Sequence, residues 1–199
     1  MMNLNFDISK LRLIIITGLS GAGKDSVVEK LKKKIKFNRI TTTTTREKRK
    51  GEKQGSPYYF ISKAKFQKMI KNGDFFEWAK VYGNYYGNTY SELKRASRKT
   101  TPIILMLDCQ GAKAVKKKIS TAKVIFITVE SLRSLKKRLV SRGMDSLSVI
   151  NRRIKQAKKE LKTLSRPSAV KQWDFVVVNK EGKLDETVQK VSAYIKKNF

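Results

Sequence analysis

The chain has 199 residues, with 46 Lys and Arg against 16 Asp and Glu, a formal net charge of +30, no histidine and one cysteine. Lack of histidine excludes His-based acid–base catalysis, Ser-His-Asp triads and His metal sites, and the lone Cys109 excludes an internal disulfide and suits a reducing compartment. No apolar run approaches the roughly 20 residues of a membrane-spanning helix, and MMNLNFDISK lacks an apolar signal core, so the expectation is a soluble cytoplasmic protein built as one α/β domain.

In chain order, Leu13 to Ile16 is a β-branched apolar run with the character of a strand buried on both faces. Gly18, Gly21 and Gly23 follow, then Lys24, then Val27, Val28, Leu31 and Ile35 at helical spacing. Strand, glycine loop, lysine and helix make the phosphate-binding pattern G-x-x-x-x-G-K. Glycines let backbone N–H groups converge on phosphate oxygens, while the helix N-terminus and Lys24 supply positive charge. A plain strand-to-helix turn is the alternative. The pattern places Ser or Thr after the lysine as a Mg²⁺ ligand, but here Asp25 stands there and Ser26 follows.

Thr41 to Thr45 are five consecutive threonines, able to end a strand or form a polar loop. Residues 46–56 read as a charged loop and Pro57 to Ile61 as a short aromatic strand. Ser62 caps a helix running to about Lys71, with Phe66, Met69 and Ile70 inward and Gly73 closing it. Asp74 to Tyr82 reads as a strand, GNYYGNTY as a turn and strand, and Ser91 to Lys99 as a helix. Pro102 to Asp108 is a buried strand, 110–119 a short helix and Lys123 to Val129 another buried strand. Ser131 caps a basic helix ending at Gly143. Leu147 to Leu164 is a longer basic helix, Phe175 to Val178 a last strand, and Leu184 to Lys197 a last helix. Buried strands alternating with helices predict a parallel α/β sheet, and residues 42–90 interrupt the rhythm as an inserted subdomain.

The positive charge fits nucleic-acid binding, an anionic small substrate, or a solvated lysine coat. Lysines such as Lys32–Lys34 and Lys116–Lys118 fall on outer helix faces, and no nucleic-acid signature accompanies them. No specific nucleic-acid partner is expected.

The insert carries Thr45, Arg46, Arg49, Gly51 and Glu52 as T-R-x-x-R-x-G-E, then Glu77-Trp78, then Tyr85-Tyr86-Gly87. In this order after a phosphate loop, these residues closely resemble guanylate kinase, from Leu11 onward. The resemblance implies a P-loop NTPase three-layer fold with a parallel sheet. It divides one domain into a core (11–41, 91–132 and 166–199), a small α+β GMP-binding insert (42–90) and a helical lid (133–165). It implies phosphorylation of GMP or dGMP with ATP and Mg²⁺ in purine nucleotide metabolism, with domain closure excluding water.

Residue by residue, it implies ATP contacts from Gly18, Ser20, Gly21, Ala22, Gly23, Lys24, Asp25 and Ser26, with Arg138 and Asn179. Arg46 and Arg49, as guanidinium forks, clamp the GMP phosphate, with Tyr58 and Tyr86 adding hydroxyls and Glu52 nearby. Glu77 accepts the paired N–H groups of guanine, which adenine lacks. Thr42 and Asn88 also face the base, Asn88 standing where Ser or Thr is usual. Asp108 orients GMP and the Mg²⁺ environment, or caps the next helix, and Met106 replaces a second acid. Lys24, Arg46, Arg138, Arg142 and Arg153 stabilise charge during transfer. Asp25 and, through water, Asp108 are the possible Mg²⁺ ligands. Lys180 replaces the acid usual after Asn179, and Val129 and Glu130 replace a common Pro-Pro. Two alternatives stay open: a related kinase acting on ribose 1,5-bisphosphate, whose loop also ends G-K-D-S, and a non-catalytic guanylate-kinase-like binding module. Oligomeric state is not readable.

Overall fold

The computed structural model describes residues 8–49, 51–81, 83–99, 101–143, 145–164 and 173–199. They fall into two compact units. The loop unit is Ile14–Lys36 with Lys123–Phe199, and the insert unit is Phe37–Ala122 with the segment ending at Leu13. The expected division into core, insert and lid is functional and does not coincide with these units. Residues 165–172, where the expected lid ends and the last core segment begins, lie outside the described residues.

In the loop unit, β9 (Lys123–Thr128) lies between β1 (Leu13–Gly18) and β10 (Phe175–Val178), parallel to both. Ile14, Ile15 and Ile16 have no exposure, as do Val124 and Ile125 of β9. Such β-branched strands are stable when covered on both faces, each side chain contributing about 1.5–3 kcal/mol by burial. Helix α1 (Lys24–Leu31) packs against the C-terminal helix α7 (Leu184–Asn198). It stops at Leu31, so Ile35 lies beyond it. With Lys32, Lys33 and Lys34 all exposed, no apolar side chain anchors another turn. Helices α5 (Leu132–Ser141) and α6 (Leu147–Leu164) pack together. Leu135 and Leu139 of α5 and Ile150 and Ala157 of α6 form the buried stripe, while Arg152, Lys155, Lys158 and Lys159 face solvent. The basic residues of α6 are thus largely a solvated face.

In the insert unit, β2 (Asn38–Arg39) pairs in parallel with β8 (Ile103–Met106). A mixed sheet has the order β4 (Lys53–Gln54), β5 (Pro57–Phe60), β3 (Thr42–Thr44), β7 (Asn84–Thr89), β6 (Phe75–Val81). Three of the five threonines form β3, all buried, where their branched Cβ suits the pleat. The expected charged loop contains β4. Ser62 caps α2 (Lys63–Lys71), its Oγ accepting from Lys65 N at 3.2 Å. Phe66 on α2 stacks on Phe75 and Tyr85, with ring centroids 4.4 and 5.3 Å away. Helix α3 (Tyr90–Ser97) follows β7, and α4 (Cys109–Lys118) packs beside β6. Strand β8 ends at Met106, two residues earlier than expected, because Asp108 turns the chain into α4 as its N-cap. No helix among the described residues is long and apolar enough to cross a membrane.

Candidate active site

The glycine loop joins β1 to α1 in the loop unit. Gly18 and Gly23 adopt φ of 135° and 91°, where side chains are strained. A Cβ on Gly18 would collide with the backbone of Ile127, and one on Gly23 would lie 2.6 Å from Asn179 Nδ2. Lys24 opens α1, and its ammonium donates to Gly18 O at 2.8 Å and Leu19 O at 3.0 Å. The charge is thereby held over the concave side of its own loop, among amides suited to an anion. Asp25 and Ser26 are exposed on the first turn.

Asn179 is buried and clasps this loop. Its Nδ2 donates to Ala22 O at 2.8 Å, and its Oδ1 accepts from Thr187 Oγ1 at 3.1 Å. A contact with adenine would therefore fall to the second Nδ2 hydrogen. Thr187, on α7, gave no sequence signal for this task. Arg138 donates to Asn179 O at 2.7 Å, which fixes one lid arginine to the residue that holds the loop. Arg153 reaches Ser20 Oγ at 3.4 Å and pairs with Asp145 at 3.0 Å, both side chains nearly buried. Asp145 went unnoticed in the sequence, though its place before the arginine-bearing helix was the available signal. Arg142 is exposed at the C-cap of α5. One lid arginine, Arg153, thus reaches a loop residue directly, and Arg138 is bonded to the residue that clasps the loop.

The insert unit assembles the other residues. Thr42 Oγ1 donates to Asn88 Oδ1 at 2.9 Å, and Asn88 Nδ2 donates to Glu77 Oε2 at 3.0 Å. All three are buried. Asn88 orients the glutamate with one Nδ2 hydrogen, and a contact with the base would fall to the other. Burial pushes the Glu77 carboxyl up to about 7, and the Asp108 charge adds to this, whereas the Asn88 hydrogen bond and Lys118 oppose it. Asp108 Oδ1 accepts from Gly111 N at 2.7 Å as the helix cap, so the capping alternative holds. Met106, in the place of the usual second acid, receives the Arg39 guanidinium on its sulfur at 2.9 Å. Glu77, Gln110, Gly111, Ala114 and Lys118 line a cavity of about 410 Å³, a volume suited to a small ligand.

Arg46 lies over the rings of Tyr58 and Phe60, 5.4 Å from each centroid, and Tyr86 meets Tyr58 edge-on at 6.3 Å. Its Nη2 donates to both Glu52 oxygens, at 2.8 and 3.0 Å. Glu52 Oε2 also accepts from Arg49 N at 2.8 Å. Burial alone would raise the Glu52 carboxyl, but the bonds from Arg46 and the Arg49 amide outweigh it and hold the group below the ordinary glutamate value. Glu52 therefore organises the arginine loop, with Arg46 set against the rings of Tyr58 and Phe60 and Tyr86 next to Tyr58. Among the described residues, no group of three or more His, Cys, Asp or Glu is placed to hold a metal ion by itself.

The guanylate kinase family model matches residues 10–198. A guanylate kinase from Clostridium tetani is 39% identical over 183 residues, covering 92% of this chain and 84% of the relative. One from Fusobacterium nucleatum is 37% identical, covering 85% and 88%. The crystal structure of guanylate kinase from Anaplasma phagocytophilum superposes with a TM-score of 0.71 at 28% identity, covering 94% of this chain and 84% of that one. With a family model spanning nearly its whole length and relatives of this similarity, the chain belongs to the guanylate kinase family.

Proposed function

We propose that the chain transfers the γ-phosphoryl group of ATP to GMP, with the loop unit holding the triphosphate and the insert unit the acceptor. The observation that carries the acceptor is the buried Thr42–Asn88–Glu77 chain. A carboxylate accepts the ring N–H and exocyclic amine of guanine together. Adenine offers no such pair, and would leave a buried charge unpartnered. Arg46, Arg49, Tyr58 and Tyr86 receive the acceptor phosphate, with Glu52 fixing the arginine loop. Thr42 and Asp108 complete the nucleoside side. The acceptor is already an anionic oxygen, so no histidine or other general base is needed.

On the donor side, the loop from Gly18 to Ser26 surrounds the phosphates. Lys24, Arg138 and Arg153 offset charge that develops between donor and acceptor, and Arg142 joins them from the exposed end of α5. Asn179 keeps the loop in shape and offers its remaining N–H to the base. Ala22 and Ser20 take part through the loop backbone and the Arg153 contact. Core 11–41, 91–132 and 166–199, insert 42–90 and lid 133–165 are the functional parts of this reading.

The donor set fits Mg²⁺ carried in with the nucleotide. Protein oxygens are few, and Mg²⁺ is usually held by one or two carboxylates, substrate phosphates and water. Asp25 and Ser26 would hold it on the loop, and Asp108 through water. When bound, the ion would supply charge neutralisation to the phosphates. Asp25 adds a negative charge beside phosphate oxygens, unfavourable unless the ion lies between them. Replacing Asp25 by serine is therefore expected to raise activity severalfold at limiting Mg²⁺ and to tighten Mg²⁺-free ATP binding, measured by calorimetry. If both are unchanged, Asp25 is a bystander.

Lys24 and Arg153 contact the loop and Arg138 holds the residue that clasps it, which favours catalysis over a binding module. An ADP-release assay with GMP, dGMP, AMP, UMP and ribose 1,5-bisphosphate tests the substrate. Fastest turnover with GMP or dGMP is expected, and faster turnover with the sugar bisphosphate would overturn the assignment.

A further inference from the structure

Gly111 is the third residue of α4, its amide bonded to the capping Asp108. Its φ is not in the left-handed region, so the backbone there suits any residue. Glycine within a helix is less favourable than alanine by about 1 kcal/mol. Backbone geometry and helix stability both argue for another residue at this place.

The surroundings argue for glycine. A Cβ at 111 would lie 2.6 Å from Glu77 Oε1 and 3.2 Å from Asp108 Oδ1. The first distance is inside van der Waals contact. The Glu77 carboxylate is held on its other side, where Oε2 accepts from Asn88 and Asn88 is tied to Thr42. It cannot withdraw from position 111 without loosening that chain. Lys118, two turns further along the same face of α4, holds β6 by donating to Phe76 O at 3.1 Å. That bond ties the strand to the helix at the residue before the glutamate.

We infer that Gly111 is a positioning residue for guanine recognition: by lacking a side chain, it lets the Glu77 carboxylate settle against the first turn of α4 at the depth where both oxygens are presented. This rests on Glu77 as the base reader. A methyl group at 111 meets the far end of a side chain, which can swing aside at little cost to the fold. The same swing displaces the acceptor pair, so recognition is lost while stability is kept.

The experiment is Gly111→Ala, read by steady-state kinetics with GMP, IMP and AMP and by thermal unfolding. Expected are an unchanged or higher Tm, an unchanged KM for ATP, and a KM for GMP raised at least about tenfold. The preference for GMP over IMP, which lacks the exocyclic amine, falls in parallel. Glu77→Asp shortens the acid by one methylene, so it should cost far less in the Gly111→Ala background than alone. Independent costs in that double-mutant cycle would overturn the inference. So would a lowered Tm with proportionate loss toward both substrates, which marks a purely structural glycine. Glu77→Gln keeps the two levels apart. If it leaves GMP selectivity intact, the base-reading assignment fails. If it abolishes selectivity while Gly111→Ala leaves the GMP KM within threefold, only the role of Gly111 fails.

Discussion

A Lys24→Ala variant is expected to lose about three orders of magnitude in kcat, the scale on which a preorganised donor acts at developing charge. The KM for ATP should change much less. The loop amides that cradle the phosphates belong to the backbone and survive the substitution, whereas the ammonium is the full positive charge that the loop contributes at the start of α1. That ammonium is held by two carbonyls of its own loop, Gly18 and Leu19. It therefore needs no large reorganisation to exchange them for phosphate oxygens, and little of its effect is lost to ordering a flexible side chain. Leu19 O still accepts from Ala22 N at 3.1 Å after the ammonium is removed, so the fold should be little affected. Coupled-assay kinetics with thermal unfolding checks both halves. A kcat within tenfold of the parent would show that the lid arginines alone carry the charge. Lys24→Arg should fail to restore activity, because a planar fork cannot occupy the place of a compact ammonium between those carbonyls.

How much of this was legible in the residues depended on distance along the chain. The phosphate loop is local: strand, glycines, lysine and helix are consecutive, and its three-dimensional form follows from conformations only glycine takes freely. Leu147–Leu164 and Phe175–Val178 were likewise delimited correctly, since apolar spacing and flanking polar residues mark their ends. The threonine run was ambiguous, because threonine suits both strand and loop. Only its neighbours β5 and β7 decide that Thr42–Thr44 is the middle of a sheet. Family resemblance located Glu77, Asn88 and Asp108. It did not reveal that Asn88 serves Glu77, which depends on the register of β6 against β7, or that Asn179 clasps the loop from far along the chain. Gly111 was invisible for the same reason. A glycine in a helix announces nothing until the carboxylate pressed against it is seen. Net charge misled least where it was read most plainly, as a lysine-rich outer surface.

Glu77→Gln is expected to cut kcat/KM for GMP by about 10²- to 10³-fold, while that for AMP stays level or rises. Glutamine offers one acceptor and one donor, so one of the two guanine N–H groups would face another N–H. The parent should also show a pH dependence that the variant lacks. Its carboxyl is pushed up to about 7 by burial, reinforced by Asp108, and only the ionised form accepts both N–H groups. Binding of GMP must then expel a proton in acid, and kcat/KM, which reports the free enzyme, should fall as pH drops below about 7 and level off above it. The phosphate of GMP titrates near pH 6 in both proteins, so the difference between the two profiles isolates Glu77. Stability moves the opposite way. The folded protein holds the Glu77 proton more tightly than the unfolded chain, where a glutamate releases it near 4.5. The stabilisation is full below that value and lost as pH rises through about 7, amounting to roughly 3 kcal/mol. Glutamine carries no such penalty, so Glu77→Gln should unfold at a higher temperature than the parent at pH 8 and at a similar one near pH 4.5. A variant that lost guanine selectivity without gaining stability at pH 8 would show that the buried carboxylate is fully compensated by Asn88 and Lys118. The expected pairing, better stability with poorer recognition, is the signature of a charge kept in an unfavourable place because guanine is what neutralises its cost.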